Sequence, residues 1–248
     1  MSRQDSTSRQ LILNFPARPE YTFDNFIVSK GSEFAWDAAR EVASSTAAPY
    51  QTLFIAGDAG LGKTHLLMAI GNRLAETRHG DALYIHCRDF IDTIAAGPES
   101  AAEALKPLDT VEVLLMDDMD RIAGQAAAQE TLYLIYNTLM ETGKRLVFAG
   151  RRPPHRLPDT ENYLRSRFKW GLTVELEPID DATTARLVHK LSQDVGLEIP
   201  DKVVQFLLTR LPRDFSSIKE SVARIDRESY ARKQKVTLPL VKAALDFP

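Results

Sequence analysis

From Tyr50 onward, short apolar runs alternate with stretches of helical period. The runs are "TLFIAG" (52–57), "ALYIH" (82–86), "VEVLLMDD" (111–118), "RLVFAG" (145–150) and "LTVELEP" (172–178), all rich in branched and aromatic residues. The third and fourth are almost continuously apolar, the pattern of strands covered on both faces. Between the runs, "THLLMAIGNRLAETR" sets Leu66, Leu67, Ile70 and Leu74 on one helical face. "ETLYLIYNTLMETG" does the same with Leu132, Ile135, Tyr136 and Leu139, and Gly143 is placed to stop that helix. Strands alternating with helices predict an α/β fold, a parallel sheet with helices on both sides.

The pattern changes after Pro178. "DDATTARLVHKLSQDVG", "PDKVVQFLLTRL", "FSSIKESVARIDRESYARK" and "LPLVKAALDF" all carry helical spacing, which predicts a small all-helical domain behind the α/β domain. At the other end, residues 1–9 form a polar tail. It leads into "QLILNF" (10–15), where Leu11, Leu13 and Phe15 occupy alternate positions. Two readings fit this hexapeptide: a short first strand packing on the protein's own sheet, or an extended peptide held out to a partner.

Composition narrows the classes. A chain of 248 residues, 44% hydrophobic, is long enough for one large core or a core with a satellite domain. No apolar run reaches the roughly 18 to 20 residues of a membrane-spanning helix, and the first residues lack the pattern of a secretory signal. The single cysteine, Cys87, forms no internal disulfide, which points to a reducing, cytoplasmic setting. A net charge of −3 argues against a dedicated duplex-DNA binder.

The chemistry is concentrated in "GDAGLGKT" (57–64), which fits G-x-x-x-x-G-K-[ST] between a predicted strand and a predicted helix. Gly57, Gly60 and Gly62 belong to a loop whose N–H groups can face a phosphate. Lys63 can reach the outer phosphates, and the Thr64 hydroxyl can coordinate Mg²⁺. In "VLLMDD" a buried strand ends in two carboxylates. Asp117 is the candidate Mg²⁺ ligand, and Asp118 the candidate for orienting or deprotonating an attacking water. These motifs predict a site for ADP or ATP with Mg²⁺. Elsewhere the ordinary readings stand: His65, Trp36 and Trp170 as packing residues, Cys87 as buried and inert, and the charges around 224–235 as a solvated helix face.

"YTFDNFIVSKGSEFAWDAAREVA" (21–43), "GLGKTHLLMAIGN" (60–72), "VLLMDDMDRIAG" (113–124) and "LRSRFKWGLTVELEP" (164–178) resemble the AAA+ region of the bacterial replication initiator DnaA. The resemblance runs from about Tyr21 to the C-terminus. It implies an AAA+ P-loop domain with a five-stranded parallel sheet over 21–178, a helical lid over 179–248, and a flexible N-terminal tail over 1–20. Pro248 stands where the initiator would continue into its helix-turn-helix, and residues 88–112 carry only Arg88, Lys106 and Phe90 where the initiator has basic and aromatic residues for single strands. Sequence-specific DNA binding is therefore not expected. Within the family the chain resembles the Hda proteins, DnaA-related inactivators that work with the DNA sliding clamp.

That resemblance gives "QLILNF" a role as a clamp-binding motif Q-L-x-L-x-F, with Gln10, Leu11, Leu13 and Phe15 as the contacts. It also makes Arg167 an arginine finger acting in trans on a neighbour's nucleotide. The ordinary alternative for Arg167 is a surface arginine paired with a nearby carboxylate. Three departures bear on the protein's own hydrolysis: Arg151 at the sensor-like position after the fourth strand, Ser216 where a lid arginine is expected, and Tyr163 where the initiator has another arginine. Together they imply nucleotide binding with weak intrinsic ATPase. The expected function is negative regulation of replication initiation at the replisome and nucleoid, with the DNA-loaded clamp and the DnaA initiator as partners. Homo-oligomers are compatible with it. The alternatives are a self-contained ATPase of the helicase-loader type and a non-catalytic clamp adaptor.

Overall fold

The computed structural model describes residues 18, 20–44, 50–77 and 81–247. Helix α1 (Glu33–Ser44) precedes strand β1 (Thr52–Gly57), followed by α2 (Lys63–Thr77), β2 (Ala82–His86), α3 (Cys87–Ala95), α4 (Pro98–Leu105), β3 (Val113–Asp117), α5 (Ala126–Glu141), β4 (Arg145–Gly150), α6 (Asn162–Lys169) and β5 (Leu172–Leu176). Four helices complete the chain: α7 (Asp181–Asp194), α8 (Asp201–Leu208), α9 (Phe215–Arg232) and α10 (Leu238–Ala244).

The five strands form one parallel sheet in the order β2-β3-β4-β1-β5. Val113 pairs with Ala82 and Asp117 with His86 on one side of β3, and Val113 with Arg145 on the other. Ala56 pairs with Gly150 across β1 and β4. All five residues of β3 and all six of β4 are buried, as their nearly continuous apolar sequences require, with Asp117 at the end of β3 and Arg145 at the start of β4 as their only charged residues. Parallel strands end on the same edge, so the loop after β1, the carboxylates after β3 and Arg151 after β4 all leave from the carboxyl edge of the sheet. In open α/β sheets that edge is where ligands bind.

The chain divides into two compact units. The first comprises residues 1–26, 35–56 and 63–175, so far as they are described. Its core contains Phe54, Ile85, Phe90, Met116, Leu132, Tyr136, Phe148 and Phe168. Phe148 sits 4.7 Å from Phe168 and stacks 15° from parallel with Tyr136. The second unit comprises residues 27–34, 57–62 and the helices after β5. Val188, Val204, Leu207, Ile218, Ile225 and Val241 form its separate core. Three of its helices begin with a capping side chain. Asp180 accepts from the Thr183 N–H (2.7 Å), Asp214 from Ser217 (2.9 Å) and Thr237 from Leu240 (3.4 Å).

Candidate nucleotide site and the Arg167 surface

The loop after β1 starts in the second unit. Gly57, Gly60 and Gly62 have φ of 151°, 78° and 99°. Gly60 is glycine for two reasons. Its positive φ disfavours a side chain, and a Cβ there would lie 2.4 Å from Asp214 Oδ1 and 2.9 Å from Asp214 Cβ. The Gly60 carbonyl also accepts the Phe215 N–H at 2.9 Å, so the first turn of α9 is tied to the loop. Ser216, in that turn, is exposed.

The other half of the phosphate motif opens α2 in the first unit. Thr64 Oγ1 donates to Asp117 Oδ2 at 2.6 Å, and the Tyr84 hydroxyl donates to the same oxygen at 3.1 Å. Asp117 is 5% exposed. Its other oxygen accepts the Asp118 N–H at 2.8 Å, closing a small loop that holds Asp118 at φ 58°. Asp and Asn tolerate this left-handed conformation better than most residues. Burial lowers the Lys63 ammonium below its ordinary value; Asp117 and Asp120 oppose that shift and the Arg151 charge adds to it. The positive charge of Arg151 is therefore felt at Lys63. The Arg151 N–H donates to Asp120 Oδ2, which anchors this residue after β4.

Lys63, Thr64 and Asp117 are thus brought together, with Tyr84 as a supporting donor that sequence reasoning missed. Its hydroxyl proton is held far above the usual range by burial and by the Asp117 charge. Asp118 is adjacent, but its carboxylate pairs with Arg121 and lies 3.7 Å from His86 Nε2. The donor set fits Mg²⁺, since a hydroxyl and one buried carboxylate are hard oxygen ligands that leave room for water and phosphate oxygens. Among the described residues, no cluster of three or more His, Cys, Asp and Glu forms a metal cage.

His65 packs as expected, with its Nε2 2.8 Å from the Thr22 carbonyl and its ring edge-on to Tyr21 and Phe26. Cys87 is fully buried. Trp170 is a correction, because its indole is 68% exposed. It packs on Arg167 rather than on the core: the guanidinium carbon lies 4.1 Å from the centre of the indole and 5.4 Å from that of Tyr133. Arg167 Nε donates to Asn137 Oδ1 at 2.9 Å. No carboxylate among the described residues forms an ion pair with Arg167. Tyr163, partly exposed, packs edge-on against Tyr133 with ring centres 4.9 Å apart. Gln10, Leu11, Leu13 and Phe15 lie outside the described residues.

The family described as the bacterial DnaA ATPase domain matches residues 17–175, and the one described as the Hda lid domain matches residues 180–245. The chain is 33% identical to the chromosomal replication initiator protein DnaA of Caldanaerobacter subterraneus subsp. tengcongensis, over 99% of this chain and 56% of that protein. It is 34% identical to DnaA of Symbiobacterium thermophilum, over 92% of this chain and 50% of that one. The chain spans about half the length of these curated relatives. Among solved structures, domain III of Thermotoga maritima DnaA superposes with a TM-score of 0.85 at 30% identity, covering 93% of this chain and 98% of that one. AMPPCP-bound DnaA from Aquifex aeolicus superposes with a TM-score of 0.76 at 29% identity, covering 87% and 69%.

Proposed function

This chain belongs to the family of the bacterial DnaA ATPase domain, and from that premise we propose that it is a nucleotide-bound regulator that stimulates ATP hydrolysis by a DnaA-type initiator in trans. The observation that carries the proposal is the state of Arg167. Its guanidinium is held by a neutral amide oxygen and two aromatic faces, so its charge is left for an anion supplied by another molecule. The ordinary alternative for a surface arginine, a neighbouring carboxylate on the same chain, is the arrangement this residue lacks among the described residues. A lid matching the Hda lid domain supports placing the chain with the inactivators within the family.

In this reading, Gly57, Gly60 and Gly62 shape the loop that receives the protein's own ADP or ATP. Lys63 neutralises the outer phosphates, and Thr64 and Asp117 supply the Mg²⁺ ligands. When bound, Mg²⁺ supplies charge neutralisation between phosphate oxygens. Arg151 adds a second cation whose charge reaches Lys63, while Asp118, engaged by Arg121, is poorly placed to activate water. That combination favours holding a nucleotide over turning it over. Arg167 then serves a different nucleotide. A guanidinium keeps its charge at any working pH and presents forked donors, which suits it to the charge that develops on a transferring γ-phosphoryl.

Gln10, Leu11, Leu13 and Phe15 supply the tether, an extended peptide offered to a DNA-loaded sliding clamp. A single such peptide loses ordering entropy on binding, and a ring with several equivalent pockets compensates through avidity. The test is a pair of assays on the full chain. Leu11→Ala with Phe15→Ala should abolish retention on DNA-loaded clamp and leave nucleotide binding intact. Intrinsic hydrolysis should be far slower than the hydrolysis the protein stimulates in the initiator. Fast intrinsic turnover, indifferent to clamp and initiator, would instead establish a self-contained ATPase of the loader type.

A further inference from the structure

One turn of α5 presents three side chains toward Arg167. Tyr133, Tyr136 and Asn137 stand at i, i+3 and i+4, the spacing that places residues on one helical face. The Tyr136 hydroxyl donates to the Arg167 carbonyl at 3.0 Å and is itself 2.9 Å from Thr52 Oγ1, which fixes the backbone of Arg167 to the buried start of β1. The Trp170 N–H donates to the same carbonyl at 3.2 Å. The side chain is fixed separately. Asn137 Oδ1 takes the Nε–H, the Tyr133 hydroxyl lies 3.5 Å from Nη2, and the Trp170 indole supports the guanidinium face.

This is more apparatus than a solvated arginine receives. A long cationic side chain loses rotamer entropy when it is fixed, and surface arginines normally spend their charge on whatever carboxylate is near. Here the side-chain acceptors are neutral: Asn137 Oδ1 takes the inner N–H and the Tyr133 hydroxyl makes only a long 3.5 Å contact with one outer nitrogen, so no partner on α5 cancels the charge. Aromatic faces attract the cation without neutralising it. Resting on the trans-acting role of Arg167, we infer that Asn137 and Trp170 are positioning residues. They hold the guanidinium extended and unpaired before any partner arrives, so that docking does not have to order it.

The experiment measures initiator ATP hydrolysis as a function of added protein, with DNA-loaded clamp present, separating the maximal rate from the half-saturating concentration. It covers the wild type and Asn137→Ala, Asn137→Asp, Trp170→Ala, Trp170→Phe and Arg167→Ala. Misplacing a reacting group by about 1 Å costs on the order of 100-fold, so Asn137→Ala and Trp170→Ala should each lower the maximal rate by roughly 10- to 100-fold at unchanged melting temperature. Trp170→Phe, which keeps an aromatic face, should recover most of the rate. Asn137→Asp keeps the acceptor but pairs the charge, and should also lower the maximal rate; a purely structural acceptor role predicts no loss. A loss confined to the half-saturating concentration would make these residues partner contacts and overturn the inference.

If Arg167→Ala abolishes stimulation while the Asn137 and Trp170 variants match the wild type, positioning fails and the trans role stands. If Arg167→Ala changes nothing, the trans role itself fails. Positioning also has a readout that needs no partner. The Arg167 Nε–H signal in an NMR spectrum, assigned by its loss in Arg167→Ala, should be protected from exchange in the wild type and unprotected in Asn137→Ala. An unprotected signal in the wild type contradicts the inference.

Discussion

The Thr64 hydroxyl donates to Asp117 across 2.6 Å, linking the first turn of α2 to the end of β3. The same Asp117 oxygen takes the buried Tyr84 hydroxyl from β2. Two elements that precede β3 in the chain, α2 and β2, therefore aim one carboxylate. Ligating carboxylates depend on such outer partners, and removing one costs about 10- to 100-fold in metal affinity. Tyr84→Phe should weaken Mg²⁺-dependent nucleotide binding by about tenfold and leave metal-free binding nearly unchanged. Titration of a fluorescent nucleotide with and without Mg²⁺ checks this, and an equal loss in both conditions would count against it.

Gly60 and Gly124 make a matched pair for testing the loop. Their φ values are 78° and 71°, but a Cβ at Gly60 would run into Asp214, whereas nothing lies within 4 Å of one at Gly124. Each alanine substitution pays about 1–2 kcal/mol for the backbone conformation. At about 2–4 °C per kcal/mol for a chain of this size, Gly124→Ala should lower the melting temperature by a few degrees. Gly60→Ala should lower it further, and trimming the cap with Asp214→Ala in the same chain should remove part of the excess.

Burial pushes the Cys87 thiol from 9.0 up to about 12, with the Asp118 charge acting in the same direction. The folded protein thus keeps its proton between about 9 and 12, where the unfolded chain has lost it. Neutral Cys87 therefore contributes stability that is fully present below pH 9 and is lost as pH rises through about 12, on the order of 4 kcal/mol across the window. Urea unfolding at a series of alkaline pH values should show a steeper loss for the wild type than for Cys87→Ala. At pH 8 the native thiol should react with iodoacetamide only as fast as the fold opens.

The strands were legible because β3 and β4 are apolar on both faces, and the phosphate loop because its glycine spacing has few other uses. Helix α5 was legible only from Glu130. Its first turn, "AAAQ", has no amphipathic period, and the sequence hides what Gln129 does there. Gln129 is buried, donates to the Ile122 and Asp159 carbonyls at 2.9 and 2.8 Å, and accepts the Glu161 N–H at 2.7 Å. It joins the turn after β3 to the segment that enters α6. A polar side chain satisfied by distant backbone leaves no periodic signal. Asp214 is invisible for the same reason, since only folding brings it to Gly60. Trp170 misled through its type: large aromatics are usually packed, and nothing in "FKWGL" marks this one as the support of a cation.

The central claim is that Arg167 acts on a nucleotide held by another molecule. Its most direct test is the rate at which a DnaA-type initiator converts bound ATP to ADP when this protein and DNA-loaded clamp are added, compared between wild type and Arg167→Ala at equal nucleotide occupancy of the added protein. The wild type should accelerate the conversion, by as much as the 10³- to 10⁵-fold typical of arginine fingers, and Arg167→Ala should return it to the unstimulated rate. Equal acceleration by the two proteins would contradict the account.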